Sequence, residues 1–198
     1  VAGLTSLQTL RDRAGVKPGQ KVLINGASGG VGTYAVQIAK ALGAEVTGVC
    51  STRNVDLVRS LGADHVIDYR NEDFTKSAER FDVIMDNVAN RPILEIRRVL
   101  KPEGKYIVIG GGGPDANPWV GAFIQPLKAL VISWFVDQDM GLFISHASAE
   151  DIALLGQWID EGKITPFVDK SYRLADIHDA MRYLEEGHAR GKVVLTMD

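Results

Sequence analysis

Cysteine is almost missing from this chain: Cys50 is the only one. That excludes an internal disulfide and leaves no cysteine-built metal site within the sequence. No run of about 18 uninterrupted apolar residues occurs, and the start, Val1-Ala2-Gly3-Leu4, has no basic segment ahead of a long apolar core, so neither membrane span nor signal peptide is expected. An excess of one charge is missing too. Against 25 Asp and Glu stand 22 scattered Lys and Arg, a net charge of -3, so neither nucleic acid nor a membrane surface is an expected partner. A cytoplasmic protein is the expectation. His65, His146, His178 and His188 are dispersed without metal-ligand spacing, so no metal site is expected from them. Nucleophilic hydrolysis lacks its G-x-S-x-G, because Gly26-Ala27-Ser28-Gly29 has the wrong spacing.

What is there is ordinary globular protein, 198 residues with 45% hydrophobic and 24% charged. It is enough for one domain with a sizeable core. The stretch Lys21-Val22-Leu23-Ile24-Asn25-Gly26-Ala27-Ser28-Gly29-Gly30-Val31-Gly32 joins a short apolar run to a glycine-rich turn. A helical pattern follows, with Val31, Ala35, Ile38, Ala39 and Leu42 on one face and Gly43 as its stop. This reads as a buried parallel strand feeding a helix whose N-terminus is open to a phosphate. Gly29 lets the backbone approach a pyrophosphate, Gly32 lets the helix lie close to the strand, and free N–H groups near Gly30 and Val31 donate to the anion. Ala27 stands where G-x-G-x-x-G has its first glycine, so the match is A-x-G-x-x-G. A tight strand-to-helix turn with no ligand is the alternative reading.

The second strand, Glu45 to Cys50, bears on which nucleotide. An acid about 20 positions beyond the glycines would hold the ribose 2'-hydroxyl of NAD, whereas an arginine accommodates the 2'-phosphate of NADP. Here stand Ser51-Thr52-Arg53 and no carboxylate. Two hydroxyls and a guanidinium suit a phosphate dianion, which favours NADP. The alternative is that Ser51 or Thr52 caps the next helix while Arg53 is merely solvated.

Along the chain, Leu4, Leu7 and Leu10 predict an opening helix, and Leu57, Val58 and Leu61 a short one before Gly62. Strands are predicted at His65–Tyr69, Phe81–Asn87, Lys105–Gly110 and Leu142–Ser145, with a helix from Ile93 to Leu100 and a turn at Lys101–Gly104. Asn87-Val88 and Gly110-Gly111 then fall on the same carboxyl edge as the glycine turn, where open parallel sheets bind ligands. Gly110 to Gly113, followed by Pro114, is either a linker or a stretch giving backbone access to a nicotinamide. The apolar stretch Val120 to Val136, which includes Phe123, Trp134 and Phe135 and follows Trp119, reads as core with part of it covering a second surface. Helices are predicted at Ala149–Glu161 and through Ile177, Met181 and Leu184, and a last strand at Val193–Met197. The fold class expected is α/β, a doubly wound six-stranded parallel Rossmann sheet with helices on both faces. Residues 1–198 are read as one dinucleotide-binding domain whose return segment, 163–198, carries extended pieces near Phe167 and Val193 that need another partner.

Several stretches together resemble the zinc-independent, quinone oxidoreductase-like branch of the medium-chain dehydrogenase/reductase superfamily. They are Val16-Lys17-Pro18-Gly19-Gln20, Asn25 to Gly32, Cys50-Ser51-Thr52-Arg53-Asn54, Leu61 to Tyr69, and Glu185 to Val194. The resemblance implies NADPH as cofactor and hydride transfer to a quinone or to the alkene of a conjugated carbonyl substrate. It implies that Ala27 and Ser28 to Val31 hold the pyrophosphate, and Ser51, Thr52 and Arg53 the 2'-phosphate. Tyr69 would border the adenosine; Asn87, Val88, Ile109 and Gly110 would line the nicotinamide side; Phe143 and Ile144 would abut its carboxamide. Relatives often carry a lysine a few residues beyond Ser51, where this chain has Val55 and Asp56, which leaves more of the task to Arg53. In the family a GroES-like catalytic domain precedes the segment equivalent to Val1, so the chain resembles a cofactor domain without it. The family also pairs its sixth strand across a two-fold axis, so Leu142 to Ser145 is the expected homodimer edge.

No side chain is compelled as a catalytic acid or base, since hydride chemistry is largely the cofactor's own. Only His146 is expected near the cofactor edge. A short-chain dehydrogenase needs Tyr-x-x-x-Lys, and the residues four beyond Tyr34, Tyr69, Tyr106, Tyr172 and Tyr183 are Ile38, Asp73, Gly110, Asp176 and Gly187. Two alternatives stay open: a zinc-dependent alcohol dehydrogenase-type parent, and an NADPH-binding module that senses cofactor without turnover.

Overall fold

The computed structural model describes residues 1–109, 138–187 and 189–197. Its central sheet has six strands in the order β3-β2-β1-β4-β5-β6, all parallel. In chain order these are β1 (Lys21–Asn25), β2 (Glu45–Cys50), β3 (His65–Asp68), β4 (Phe81–Asp86), β5 (Leu100–Val108) and β6 (Asp139–Leu142). The helices are α1 (Ala2–Leu7), continued by a π-helical stretch Gln8–Arg13, then α2 (Gly32–Ala41), α3 (Val55–Ser60), α4 (Ile93–Val99), α5 (Ala149–Asp160) and α6 (Ile177–Glu185). The strand order reverses between β1 and β4, and a ligand crevice opens at the carboxyl ends beside such a switch point.

Side chains alternate across the sheet and meet a different layer on each face. Val22, Ile24, Val83 and Met85 pack with Leu7 and Leu10 and with Ala35, Ile38 and Ala39 of α2. Leu23, Ile84 and Phe81 pack with Ile93, Ile96 and Val99 of α4. Each fully buried Leu or Ile contributes about 1.5–3 kcal/mol, so the two layers together hold the sheet. Polar ties add register: Arg13 forms a bidentate pair with Asp139 on β6 at 2.5 Å, and Ser6 Oγ donates to Val31 O at 2.9 Å. The opening helix is thereby fixed to the glycine-rich turn and to the sheet edge.

Two expectations are corrected. The sixth strand runs Asp139–Leu142, three residues earlier than the apolar run Leu142–Ser145 suggests, and only Phe143 continues its backbone pairing, donating to Val108 O at 3.1 Å. The strand can open on a carboxylate, Asp139, because Arg13 neutralises it within the fold. Lys101–Gly104 lies within β5 rather than in a turn before it: Leu100 pairs with Phe81 and Lys105 with Val83, so the four residues between bulge from the ladder. The stretches at Gly110–Gly113 and Val120–Val136 lie outside the described residues.

The return segment forms a separate two-stranded parallel sheet, β7 (Val168–Arg173) with β8 (Lys192–Thr196), joined by α6. Val168, Leu174, Met181, Leu184, Val194 and Leu195 are exposed on it.

Candidate dinucleotide site

The loop Gly26–Val31 leaves β1 at the switch point. Both Gly26 and Ala27 donate their N–H to Val49 O, at 3.1 and 3.0 Å, and Gly29 N–H turns back onto Gly26 O at 3.1 Å. Gly32 opens α2 directly against this turn. A Cβ there would lie 2.1 Å from Gly26 O and 2.7 Å from Ala27 Cα, so only glycine allows the helix to start so close to the strand. Val31 is the N-cap and makes no side-chain cap, which leaves N–H groups of the first turn for an outside acceptor.

The far end of the chain reaches this loop, a contact that no local pattern announces. Gly191 N–H donates to Ser28 O at 2.9 Å, and the Lys192 ammonium lies 2.9 Å from where a Gly30 Cβ would stand. A cation is thus set beside the helix N-terminus, and a side chain at Gly30 would displace it. The residues fit a pyrophosphate.

On the adenosine side, Ser51 is buried while Thr52 and Arg53 lie exposed on a 3-10 turn, Thr52–Asn54. Asn54 binds this turn to the loop, its Nδ2 donating to Ser28 Oγ at 3.0 Å and Ser51 Oγ at 3.1 Å, while its buried Oδ1 has no partner among the described residues. The Thr52 hydroxyl is already engaged by Asp68, whose carboxyl it holds below the usual range. This narrows the expectation that both hydroxyls are free. Arg53 is within electrostatic reach of Tyr183 on α6. Tyr69 follows β3, half exposed, with its N–H on Cys50 O at 3.0 Å. Cys50 itself is buried, and burial pushes its thiol up to about 11, so it is an inert core residue.

The other half of the edge rests on Asp86, which is fully buried. Its Oδ1 accepts from Asn25 Nδ2 at 2.8 Å, Val88 N at 3.0 Å and Ala89 N at 2.8 Å, and its Oδ2 from Tyr106 OH at 2.9 Å. Burial and the neighbouring carboxylate push the Tyr106 phenol well above its ordinary pKa, so it stays a donor. These bonds hold Ala89 at φ 55°, a left-handed backbone that non-glycine residues seldom adopt, and they shape the loop that presents Asn87 and Val88. Val88 packs on Gly26, and Asn87 Nδ2 donates to Asn25 O at 2.9 Å while its buried Oδ1 lacks a partner among the described residues. Ile109 N–H donates to Asp86 O, which places Ile109 beside Phe143 at the ends of β5 and β6. Ile144 is 79% exposed. Gly110 lies outside the described residues. His146 is exposed, and its backbone, not its ring, is held by Gln8. A hollow of about 360 Å³ lies at the opposite, amino edge of the sheet, but its lysines are engaged, Lys101 with Asp82 and Lys105 with Ala14 O.

A parallel sheet in this order, with a glycine-rich strand-to-helix turn at its switch point, defines an α/β protein of Rossmann type. The zinc-binding dehydrogenase family model matches residues 61–195. The trans-enoyl reductase pgmF of Aspergillus terreus is 35% identical over 99% of this chain and 57% of its own length. The human mitochondrial NAD(P)H oxidoreductase RTN4IP1 is 37% identical over 90% of this chain and 48% of its own. The structure of the quinone oxidoreductase from Coxiella burnetii superposes with a TM-score of 0.83 at 28% identity, over 100% of this chain and 59% of that one. The chain belongs to the zinc-binding dehydrogenase family of medium-chain dehydrogenases/reductases, a family of oxidoreductases, and spans about half the length of these relatives. Among the described residues no group of three or more His, Cys, Asp or Glu stands together to hold a metal. No helix among them is long and apolar enough to cross a membrane.

Proposed function

We propose that this chain binds NADPH as the cofactor-binding part of an oxidoreductase that reduces a quinone or the alkene of a conjugated carbonyl compound. The observation that carries this reading is the glycine-rich loop, closed by Gly32 on Gly26 and faced by Lys192. The names of relatives support the chemistry: one is a trans-enoyl reductase, one an NAD(P)H oxidoreductase, one a quinone oxidoreductase. When bound, NADPH supplies a hydride.

The chain's own residues bind, orient and exclude water. Backbone N–H groups of Ser28, Gly30 and Val31, beside the buried Ala27, take the pyrophosphate together with Lys192, while Gly29 N–H closes the turn on Gly26 O. Ser51 and Arg53 take the 2'-phosphate, while Thr52, whose hydroxyl and backbone N–H both go to Asp68, shapes the turn that carries them. Tyr69 borders the adenosine. The Oδ1 of Asn87, without a partner among the described residues, accepts a hydroxyl or amide hydrogen, and Val88, Ile109, Phe143 and Ile144 keep water from the nicotinamide side. Residues 1–198 act as one cofactor domain with 163–198 as its return. Self-association runs along the outer edge of β6 toward Ser145, and Leu142→Pro lowers the mass seen by light scattering; an unchanged mass overturns the edge pairing.

Calorimetry of the purified chain with NADPH and NADH tests the cofactor. NADPH is expected to bind more tightly, and Arg53→Ala to weaken NADPH about tenfold while sparing NADH. Equal loss for both nucleotides overturns the 2'-phosphate assignment.

A further inference from the structure

Asp169 lies on β7, outside every stretch that the cofactor reading uses, yet its side chain is only 1% exposed. A buried carboxylate is costly unless donors surround it. Here three do: Arg190 N–H at 2.9 Å, Arg190 Nε at 3.0 Å and Tyr183 OH at 2.5 Å. Two of the three come from the residue just before Gly191. Gly191 in turn sits with φ 61° and so close to Phe167 that a Cβ would fall 2.4 Å from its carbonyl oxygen, while Lys192 N–H donates to Phe167 O at 2.9 Å. The backbone of residues 189–192 is therefore pinned from β7 on one side and meets the glycine-rich loop on the other, through Gly191 N–H on Ser28 O.

We propose that Asp169 is a positioning residue for the cofactor site: by anchoring Arg190 it holds the strap 189–192 across the glycine-rich loop and so delivers the Lys192 ammonium to the pyrophosphate. The proposal rests on the reading that this loop binds a dinucleotide. It adds that the site is built from two distant parts of the chain, and that a carboxylate, which would repel the cofactor if it faced it, supports binding from behind. Tyr183 contributes from α6, and Lys170 Nζ stacks 3.7 Å over the Tyr183 ring, which keeps the phenol aimed at Asp169.

The test is a double-mutant cycle on the 198-residue chain, with NADPH affinity read by calorimetry. Lys192→Ala in the wild-type background is expected to weaken NADPH about tenfold, and Asp169→Asn to weaken it by a similar factor. In the Asp169→Asn background, Lys192→Ala is expected to cost little more, because the strap no longer presents the ammonium. A merely structural Asp169 gives additive losses instead, and that result overturns the proposal. Amide exchange at Gly191 in the cofactor-free chain gives an independent readout: protected in wild type, exposed in Asp169→Asn. Loss of that protection with NADPH affinity unchanged likewise overturns it. If Asp169→Asn does not fold, Tyr183→Phe removes one donor only and is expected to give a smaller loss with the same non-additivity. A wild-type chain that binds no dinucleotide at all overturns the cofactor reading and the proposal with it, whereas binding with an additive cycle removes the proposal alone.

Discussion

Strands β1 and β4 bury all but one residue each, whereas β7 and β8 leave every residue at least partly exposed. Both are parallel pairings, so strand chemistry alone does not separate them. What differs is the number of layers. The central strands have α1, α2 and α5 on one face and α4 on the other; the return has, among the described residues, only α6, which buries Ala180 and leaves Met181 52% exposed. The sheet is held by apolar burial, and the return by a handful of polar bonds centred on Asp169. Stability and site geometry are thus assigned to different physics in the two regions.

Removing the polar centre under the sheet should show the largest effect. Asp86→Ala strands four donors in a dry site and is expected to lower unfolding free energy by about 4 kcal/mol in a urea titration. A loss under about 1 kcal/mol would mean that the loop at Val88 and Ala89 is not held by this carboxylate. Gly32→Ala comes next: its methyl must displace Gly26 O, so a loss of about 3 kcal/mol is expected, with NADPH binding abolished in calorimetry.

Acid should loosen the return as well. Burial opposes the charge on Asp169 and is the largest single influence, but the Arg190 and Tyr183 donors together outweigh it and hold the carboxyl below its ordinary value. A depressed pKa in the fold means that these bonds stabilise fully above the ordinary carboxylate value of about 4 and are lost as pH falls through the depressed one. The Gly191 amide resonance should therefore start to move only below about pH 4, and Asp169→Asn should remove that transition. The smallest effect belongs to the exposed face of α6. Met181→Lys should change stability by no more than about 0.5 kcal/mol, and a larger loss would show that this face is covered in solution.

Local pattern makes the first half of the molecule legible. Val22 to Gly32 carries strand, turn and helix signals within a dozen residues, and Ala35, Ile38 and Ala39 are buried as the helical period predicts. The α/β class and the six-stranded parallel sheet follow from such units. Where the pattern misleads, the deciding interaction is distant in sequence. Asp139 becomes a strand residue because Arg13 meets it, and Thr52 loses its hydroxyl to Asp68. Lys101 to Gly104 has turn composition, yet pairing resumes across it against β4. Lys192 is legible only as part of a closing motif; nothing local says that it lies over Gly30. Asn54 carries no local signal of its role as the link between Ser28 and Ser51.

The bond from Gly191 to Ser28 also orders events in time. A chain is synthesised from one end, and Ser28 leaves the ribosome roughly 160 residues before its partner, long enough for the early strands to pair on their own, since domains generally fold as units during synthesis. Until Gly191 arrives, the loop exists without its cover. Cofactor capture by a nascent chain would then report that translation had passed this point, and the nucleotide would meet a finished site rather than help to build one.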